Sequence, residues 1–253
     1  MEIIKAENIS VSVKEKDIIK DVNFSLEKGD FCCVVGVNGS GKSTLLKTLC
    51  RTIPSTSGEV FIEEENIKAL SVKNLAKKVS VVFQSADIDL DFSALQIVLM
   101  GRMPYQRILQ QDKKEDLLLA EEAMRRTNTW ELKDRSFPTL SGGEKQRVMI
   151  ARSLCQNTSI MLLDEPIASL DVKHQFEIME LLKQINKENK VSIFMILHDL
   201  SLALQYANKI LAMKDGRMKY FGVTKEVLTK ENIETLFEVK AEIINNNNII
   251  LKK

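Results

Sequence analysis

"GVNGSGKST", residues 36–44, decides how the rest of the chain is read. It fits the spacing G-x-x-x-x-G-K-[ST], ends the continuous apolar run "FCCVVG" (31–36) and opens a helical pattern expected from Lys42 to about Arg51. A buried parallel strand, a glycine-rich turn and a helix start together make a phosphate cradle. Glycine leaves backbone N–H groups uncovered, and the helix start adds partial positive charge. On this reading Gly36, Val37, Asn38, Gly39, Ser40, Gly41, Lys42, Ser43 and Thr44 wrap a nucleotide's phosphates. Lys42 reaches the β- and γ-phosphates, and the Ser43 hydroxyl is a Mg²⁺ ligand.

Outward from the cradle, the rhythm of the chain is strand, helix, strand. Short β-like runs fill residues 1–30, "GEVFIEEENI" and "KVSVVFQ" (78–84) read as strands, and from Gln84 to Leu140 helical patterns such as "KKEDLLLAEEAMRRTNTW" take over. Strands then return in "SIMLLDE" and "VSIFMILHD", each followed by a helix (172–188 and 200–207). Asp215-Gly216 marks a hairpin turn, and a last strand pair is expected around "NNNN" (245–248). The pattern predicts an α/β fold with a central, mainly parallel sheet, an N-terminal antiparallel β part and an inserted helical subdomain. One domain over 1–253 is expected, with 1–84 and 160–253 as the core and 85–159 as the subdomain.

Composition narrows the function. The chain has 253 residues and carries 36 Lys plus Arg against 35 Asp plus Glu, a net charge of +1. That balance argues against a nucleic-acid partner gripped by a basic face. No stretch approaches the ~18 apolar residues that cross a bilayer, and "MEIIKAENIS" has charges where a secretory leader needs an apolar core. Cys32, Cys33, Cys50 and Cys155 form no C-x-x-C pair, and there are only two histidines, so a structural zinc site is not expected. Cys32 and Cys33, adjacent in a strand, point to opposite faces, and buried, reduced thiols are the expectation.

Polar residues then gather where strands end, the edge at which open α/β sheets bind ligands. "IMLLDE" ends in Asp164 and Glu165, "VVFQ" in Gln84, and "FMIL" is followed by His198. Asp164 is placed to hold Mg²⁺, with Gln84 as a ligand to the metal or its water. Glu165 is the candidate to orient and deprotonate an attacking water, and His198 to bond the γ-phosphate. A second anion site appears at "LSGGEKQR" (140–147). Ser141 and Glu144 have capping-box spacing, and Gly142 and Gly143 leave first-turn N–H groups uncovered. The first cradle needs no second one for its own β-phosphate. This helix start therefore reads as gripping the γ-phosphate of nucleotide on another copy of the chain, two copies enclosing two ATP molecules.

With those stretches in view, the sequence resembles the ATP-binding subunit of an ABC transporter. "GVNGSGKST" is similar to the family's Walker A, "IMLLDE" to its Walker B and "LSGGEKQR" to its signature. Gln84 is similar to the Q-loop, "SLD" (169–171, with Asp171) to the D-loop, and His198 to the switch histidine. The resemblance runs over essentially the whole chain in the family's order. It implies a homodimer that sandwiches ATP, Mg²⁺-dependent hydrolysis, and coupling to two transmembrane permease subunits at the cytoplasmic face of the cell membrane, with an extracytoplasmic substrate-binding protein engaged indirectly. Two positions depart from the pattern. Val13 stands where the family often stacks an aromatic residue on adenine, a loss of ~1–3 kcal/mol if base stacking on aromatic side chains is a guide, so base selectivity is expected to be loose. Ile167 follows "DEP" where threonine is common, with little catalytic consequence expected.

"LMGRMPYQ" (99–106) is similar to a Gly-Arg-x-Pro element of importer ATPases for iron–siderophores, haem and cobalamin. Read physically, it is a surface loop that could seat a helix of a membrane subunit, with Phe92, Met100, Met103 and Tyr105 as apolar floor and Arg102 and Arg107 at the rim. An ATPase subunit of another ABC transporter, of other cargo or export, and a soluble ABC ATPase are the alternatives. The latter usually carries paired cassettes or coiled-coil inserts, which this sequence lacks.

Overall fold

Two antiparallel strands, β1 (Glu2–Val13) and β2 (Lys16–Glu27), open the chain. In the computed structural model, which describes residues 1–84, 91–106, 113–168, 170–244 and 248–252, β3 (Phe31–Gly36) follows and leads through residues 37–41 into α1 (Lys42–Leu49). β4 (Ser57–Ile62), β5 (Glu65–Asn66), α2 (Val72–Leu75) and β6 (Val79–Val82) come next. The helical stretch holds α3 (Ala94–Leu99), a 3₁₀ turn over Met100–Tyr105, α4 (Lys114–Arg126) and α5 (Gly142–Cys155). The chain then runs β7 (Ile160–Asp164), α6 (Val172–Asn189), β8 (Ser192–Ile196), α7 (Leu200–Tyr206), β9 (Lys209–Lys214) and β10 (Arg217–Val223). It closes with α8 (Thr224–Val227), α9 (Lys230–Phe237) and the hairpin β11 (Lys240–Ile244) and β12 (Asn248–Lys252). Residues 245–247 of the expected hairpin turn lie outside the described residues.

The antiparallel sheet has the order β2-β1-β4-β5, and the central sheet the order β10-β9-β3-β8-β7-β6, parallel throughout except for the β9–β10 hairpin. Every residue of β3, β7 and β8 is buried. A parallel strand covered on both faces reads as a continuous apolar run for that reason. The alternation of the pleat sorts these strands into two cores. Cys33, Val35, Leu163 and Met195 face the helices, together with Ile97, Met124 and Ile150. Cys32, Val34, Leu162 and Phe194 face α1 and the antiparallel sheet. Cys32 and Cys33 thus lie on opposite faces, as their adjacency predicts. The α/β cassette with an antiparallel N-terminal part and a helical subdomain is the architecture observed.

Boundaries differ slightly from those expected. β6 pairs with β7 only over Val79–Val82, so Gln84 lies beyond the strand end rather than in it. Ile167 is 4 % exposed and belongs to the helical-side core, which accounts for an apolar residue there.

The reading of Arg102 as a rim charge is overturned. Arg102 is 8 % exposed; its Nε donates to Asp116 Oδ1 at 2.8 Å and its Nη1 to the Cys155 carbonyl at 2.8 Å. The cause is Gly101, where a Cβ would sit 2.4 Å from the Arg152 carbonyl oxygen. That close approach draws the 3₁₀ turn onto α5 and drops the guanidinium onto the carbonyl end of the helix, where a cation is favourable. Phe92 and Met100 pack against the core, whereas Met103 and Tyr105 are exposed. Arg107 lies outside the described residues.

Candidate nucleotide site

The neighbouring strands β3, β8 and β7 end at one sheet edge, and each is followed there by a polar segment. After β3 comes the loop 37–41, after β8 His198, and at the end of β7 Asp164 and Glu165. The loop, Gln84, Glu165 and His198 border a cleft of about 550 Å³, lined by Asn38, Lys42 and Ser43 among others, while Asp164 is buried behind it, bonded to Ser43. The loop keeps its shape partly through Gly36, at φ 147°, where a Cβ would stand 2.1 Å from the Met213 carbonyl oxygen of β9. Only glycine allows the two backbones to approach that closely.

Lys42 is 5 % exposed, and its Nζ donates to the carbonyls of Gly36 (2.8 Å) and Val37 (3.0 Å). Burial lowers its pKa, opposed by the charges of Glu165 and Asp164. Ser40 Oγ is buried beneath the loop without a hydrogen-bond partner. Ser43 Oγ donates to Asp164 Oδ1 at 2.9 Å. Asp164 is 4 % exposed, and desolvation raises its carboxyl above the usual range, with Glu165 adding to the effect and the Ser43 hydrogen bond opposing it.

Glu165 is held from both sides. Gln84 Nε2 donates to its Oε2 at 2.7 Å, and His198 Nε2 pairs with its Oε1 at 2.6 Å, so the imidazole carries a proton on that nitrogen. The backbone of Glu165 sits at φ 50°, a left-handed conformation of a kind that costs on the order of 1–3 kcal/mol and concentrates at functional sites.

The donor set suits Mg²⁺. Hydroxyl, carboxylate and amide oxygens are hard ligands, and a buried carboxylate resisting ionisation is one a cation would stabilise. Among the described residues no cluster of three or more His, Cys, Asp or Glu stands at ligand spacing. A cation here would therefore rely on Ser43, Asp164 and the Gln84 amide oxygen, with phosphate oxygens completing its shell.

The glycine-bearing helix start lies elsewhere. Ser141 caps α5 with a full capping box: its Oγ accepts from Glu144 N–H at 3.4 Å, and Glu144 accepts from Ser141 N–H at 2.8 Å. These hydrogen bonds lower the Glu144 carboxyl. Gly142 faces open space, with nothing within 4 Å of a Cβ built on it. None of Ser141, Gly142, Gly143 or Glu144 lines the cleft. Asp171 is the N-cap of α6, accepting from His174 N–H, and does not line the cleft either. Ser169 of the "SLD" stretch lies outside the described residues.

Two features were missed by sequence reasoning. Val13 is exposed at the end of β1 and does not line the cleft; Lys16 and Ile18 of β2 do. They share a face by strand alternation, but only the packing of β2 beside the loop says which face matters. His174 was also missed, although its spacing of three from the N-cap Asp171 was a usable signal.

A model of the ABC transporter family matches residues 19–168. The chain is 35% identical over 241 residues to the ferric enterobactin transport ATP-binding protein FepC of Escherichia coli (strain K12), covering 95% of this chain and 89% of the relative. Among solved structures, it superposes on a chain of an ABC transporter assigned to the metal-chelate type, in an inward-facing conformation. The TM-score is 0.87 with 27% identity, over 100% of this chain and 98% of that one. It also matches the dimeric structure of the bacterial ABC transporter cassette MJ0796, with TM-score 0.77 and 30% identity over 87% of this chain and 98% of that one.

Proposed function

Because this chain belongs to the ABC transporter family as an ATP-binding cassette, we propose that it energises uptake of a ferric siderophore or a related metal chelate, such as haem or cobalamin, through partner permease subunits. The cassette binds ATP and hydrolyses it in coupling to transport. FepC's function and the metal-chelate type of the matched transporter support the cargo class. The observation that carries the half-site arrangement is the exclusion of Ser141–Glu144 from the cleft that holds Lys42 and Ser43. A helix start with free N–H groups, facing open space, is completed by nucleotide on a second copy. Dimeric cassettes in the family agree with this.

In the assembled site, Lys42 turns from the loop carbonyls to the β- and γ-phosphates, and the backbone N–H groups of Asn38 to Ser43 wrap the phosphate oxygens. Asp164, Ser43 and the Gln84 amide oxygen would hold Mg²⁺, which would offset the charge of the phosphates. Glu165 orients a water in line with the γ-phosphate and takes up its proton. The His198 Nε2–H, paired here with Glu165, turns to the γ-phosphate in the assembled site. Gly142 and Gly143 N–H groups of the partner copy, with its Ser141 and Asp171, close the pocket. Such preorganised donors act where charge develops. No helix among the described residues is long and apolar enough to cross a membrane. The cassette sits peripherally on the cytoplasmic face, docked on two permease subunits, with an extracytoplasmic binding protein delivering cargo.

The test is Glu165→Gln. It removes the proton acceptor and keeps the shape, so hydrolysis should fall at least ~10²-fold while ATP drives a stable dimer, seen by sedimentation. Near-normal turnover would remove the role given to Glu165.

A further inference from the structure

One of the two histidines, His198, faces Glu165. The other, His174, lies in the first turn of α6 and takes both oxygens of one carboxylate. Its backbone N–H donates to Asp171 Oδ1 at 3.0 Å, and its ring Nδ1 pairs with Asp171 Oδ2 at 2.8 Å. Against an ionised carboxylate that nitrogen carries the proton. The same ring lies against the start of α5: a Cβ built on Gly143 would stand 3.5 Å from His174 Cγ and 3.6 Å from Cδ2. One turn further along both helices, Arg147 Nη1 meets Glu177 Oε2 at 3.4 Å. The two helix starts are therefore joined by two rungs of side chains. Around and below the rungs the helices part at an open groove of about 1060 Å³, whose walls include Arg126, Phe176, Leu181 and Gln184.

We propose that His174 is a positioning residue that locks the Asp171 carboxylate and the glycine start of α5 into one unit, so that the two elements one subunit offers to its partner's nucleotide arrive in fixed register. This rests on the half-site reading above. The physical reason is the exposure of both parts. Asp171 is an exposed side chain with several rotamers, and Gly142 is unsupported in open space. A charge-assisted hydrogen bond to the one, with a flat ring beneath the neighbour of the other, removes freedom that assembly would otherwise have to remove.

The experiment uses the full chain. His174→Ala should lower kcat for ATP hydrolysis about tenfold, the scale of one hydrogen bond to a charged group. The affinity of the isolated subunit for a fluorescent ATP analogue should stay within about twofold, because His174 does not line the cleft. His174→Asn places an amide N–H near the position of Nδ1 and should restore kcat to within about threefold of the parent. In the Glu165→Gln background, His174→Ala should weaken ATP-driven dimerisation about tenfold. Unchanged kcat and dimerisation in His174→Ala would overturn the proposal, as would an asparagine variant no better than alanine. If Glu165→Gln alone forms no ATP-dependent dimer, the half-site reading fails and takes this inference with it. If it dimerises and His174→Ala leaves that unaffected, only the role of His174 falls.

Discussion

Replacing Arg102 with alanine removes the cation that joins α4 to the end of α5. In the folded chain the Arg102 and Asp116 side chains are 9% and 7% exposed and meet at 2.8 Å. The guanidinium also bonds the Cys155 carbonyl, and its central carbon lies 4.0 Å from the Tyr105 ring centroid. Truncation strands a buried carboxylate, a change that typically costs ~3–5 kcal/mol, and forfeits a cation–π contact worth ~0.5–2 kcal/mol. A loss of about 4 kcal/mol is expected, or about 8–16 °C in melting midpoint for a chain of this size. Urea unfolding of the parent, Arg102→Ala and the double variant Arg102→Met/Asp116→Leu measures it. The double variant should recover most of the loss, because two apolar side chains avoid both desolvation penalties. The effect also carries a pH signature. Burial alone would raise the Asp116 carboxyl, but the Arg102 hydrogen bond, the Lys113 N–H, the Arg102 charge and Gln106 outweigh it and hold the group below the usual range. A carboxyl depressed in the folded state contributes stability that is complete above its unfolded pKa of about 4 and is lost as pH falls through the lower folded value. The gap between parent and Arg102→Ala should therefore be full near neutrality and shrink in acid. A loss under about 1 kcal/mol, or a double variant as unstable as the single one, would refute the reasoning.

Lys42→Met should reduce hydrolysis by about 10²-fold or more without lowering the melting midpoint of the nucleotide-free chain, because burial disfavours the Lys42 charge; a marked drop in the midpoint would contradict that burial argument. Desolvation pushes the Cys32 and Cys33 thiols far up, and Cys155 is buried too. A thiol reagent should therefore label Cys50 first in the folded chain and the other three only on unfolding, and four equally fast thiols would contradict the core assignment. With Lys16 and the aliphatic Ile18 beside the loop and Val13 outside the cleft, the kcat/KM ratio of ATP to GTP should stay within about tenfold, the order of a missing aromatic stack. A strong ATP preference would mean that base recognition comes from other contacts.

Much of the molecule is legible in the amino-acid sequence because its signals are local. A continuous apolar run marks a doubly covered strand, Gly-x-x-x-x-Gly-Lys-Ser marks a loop whose backbone must face an anion, and Ser141 three residues before Glu144 marks a helix start. Asp164, Glu165, Gln84 and His198 could be gathered on one edge because parallel strands present their ends together. Partnership between residues far apart in the chain was not legible. The pattern around Gly101 and Arg102 looks like an exposed loop, and only the approach of that turn to α5 turned the arginine inward to neutralise a helix end and a buried aspartate. Likewise, no periodicity places Lys16 and Ile18, rather than Val13, beside the phosphate loop, or the His174 ring beneath Gly143. The local free energies that write a sequence pattern depend on neighbours along the chain. The desolvation and charge pairing that decide these contacts exist only after distant segments have packed together.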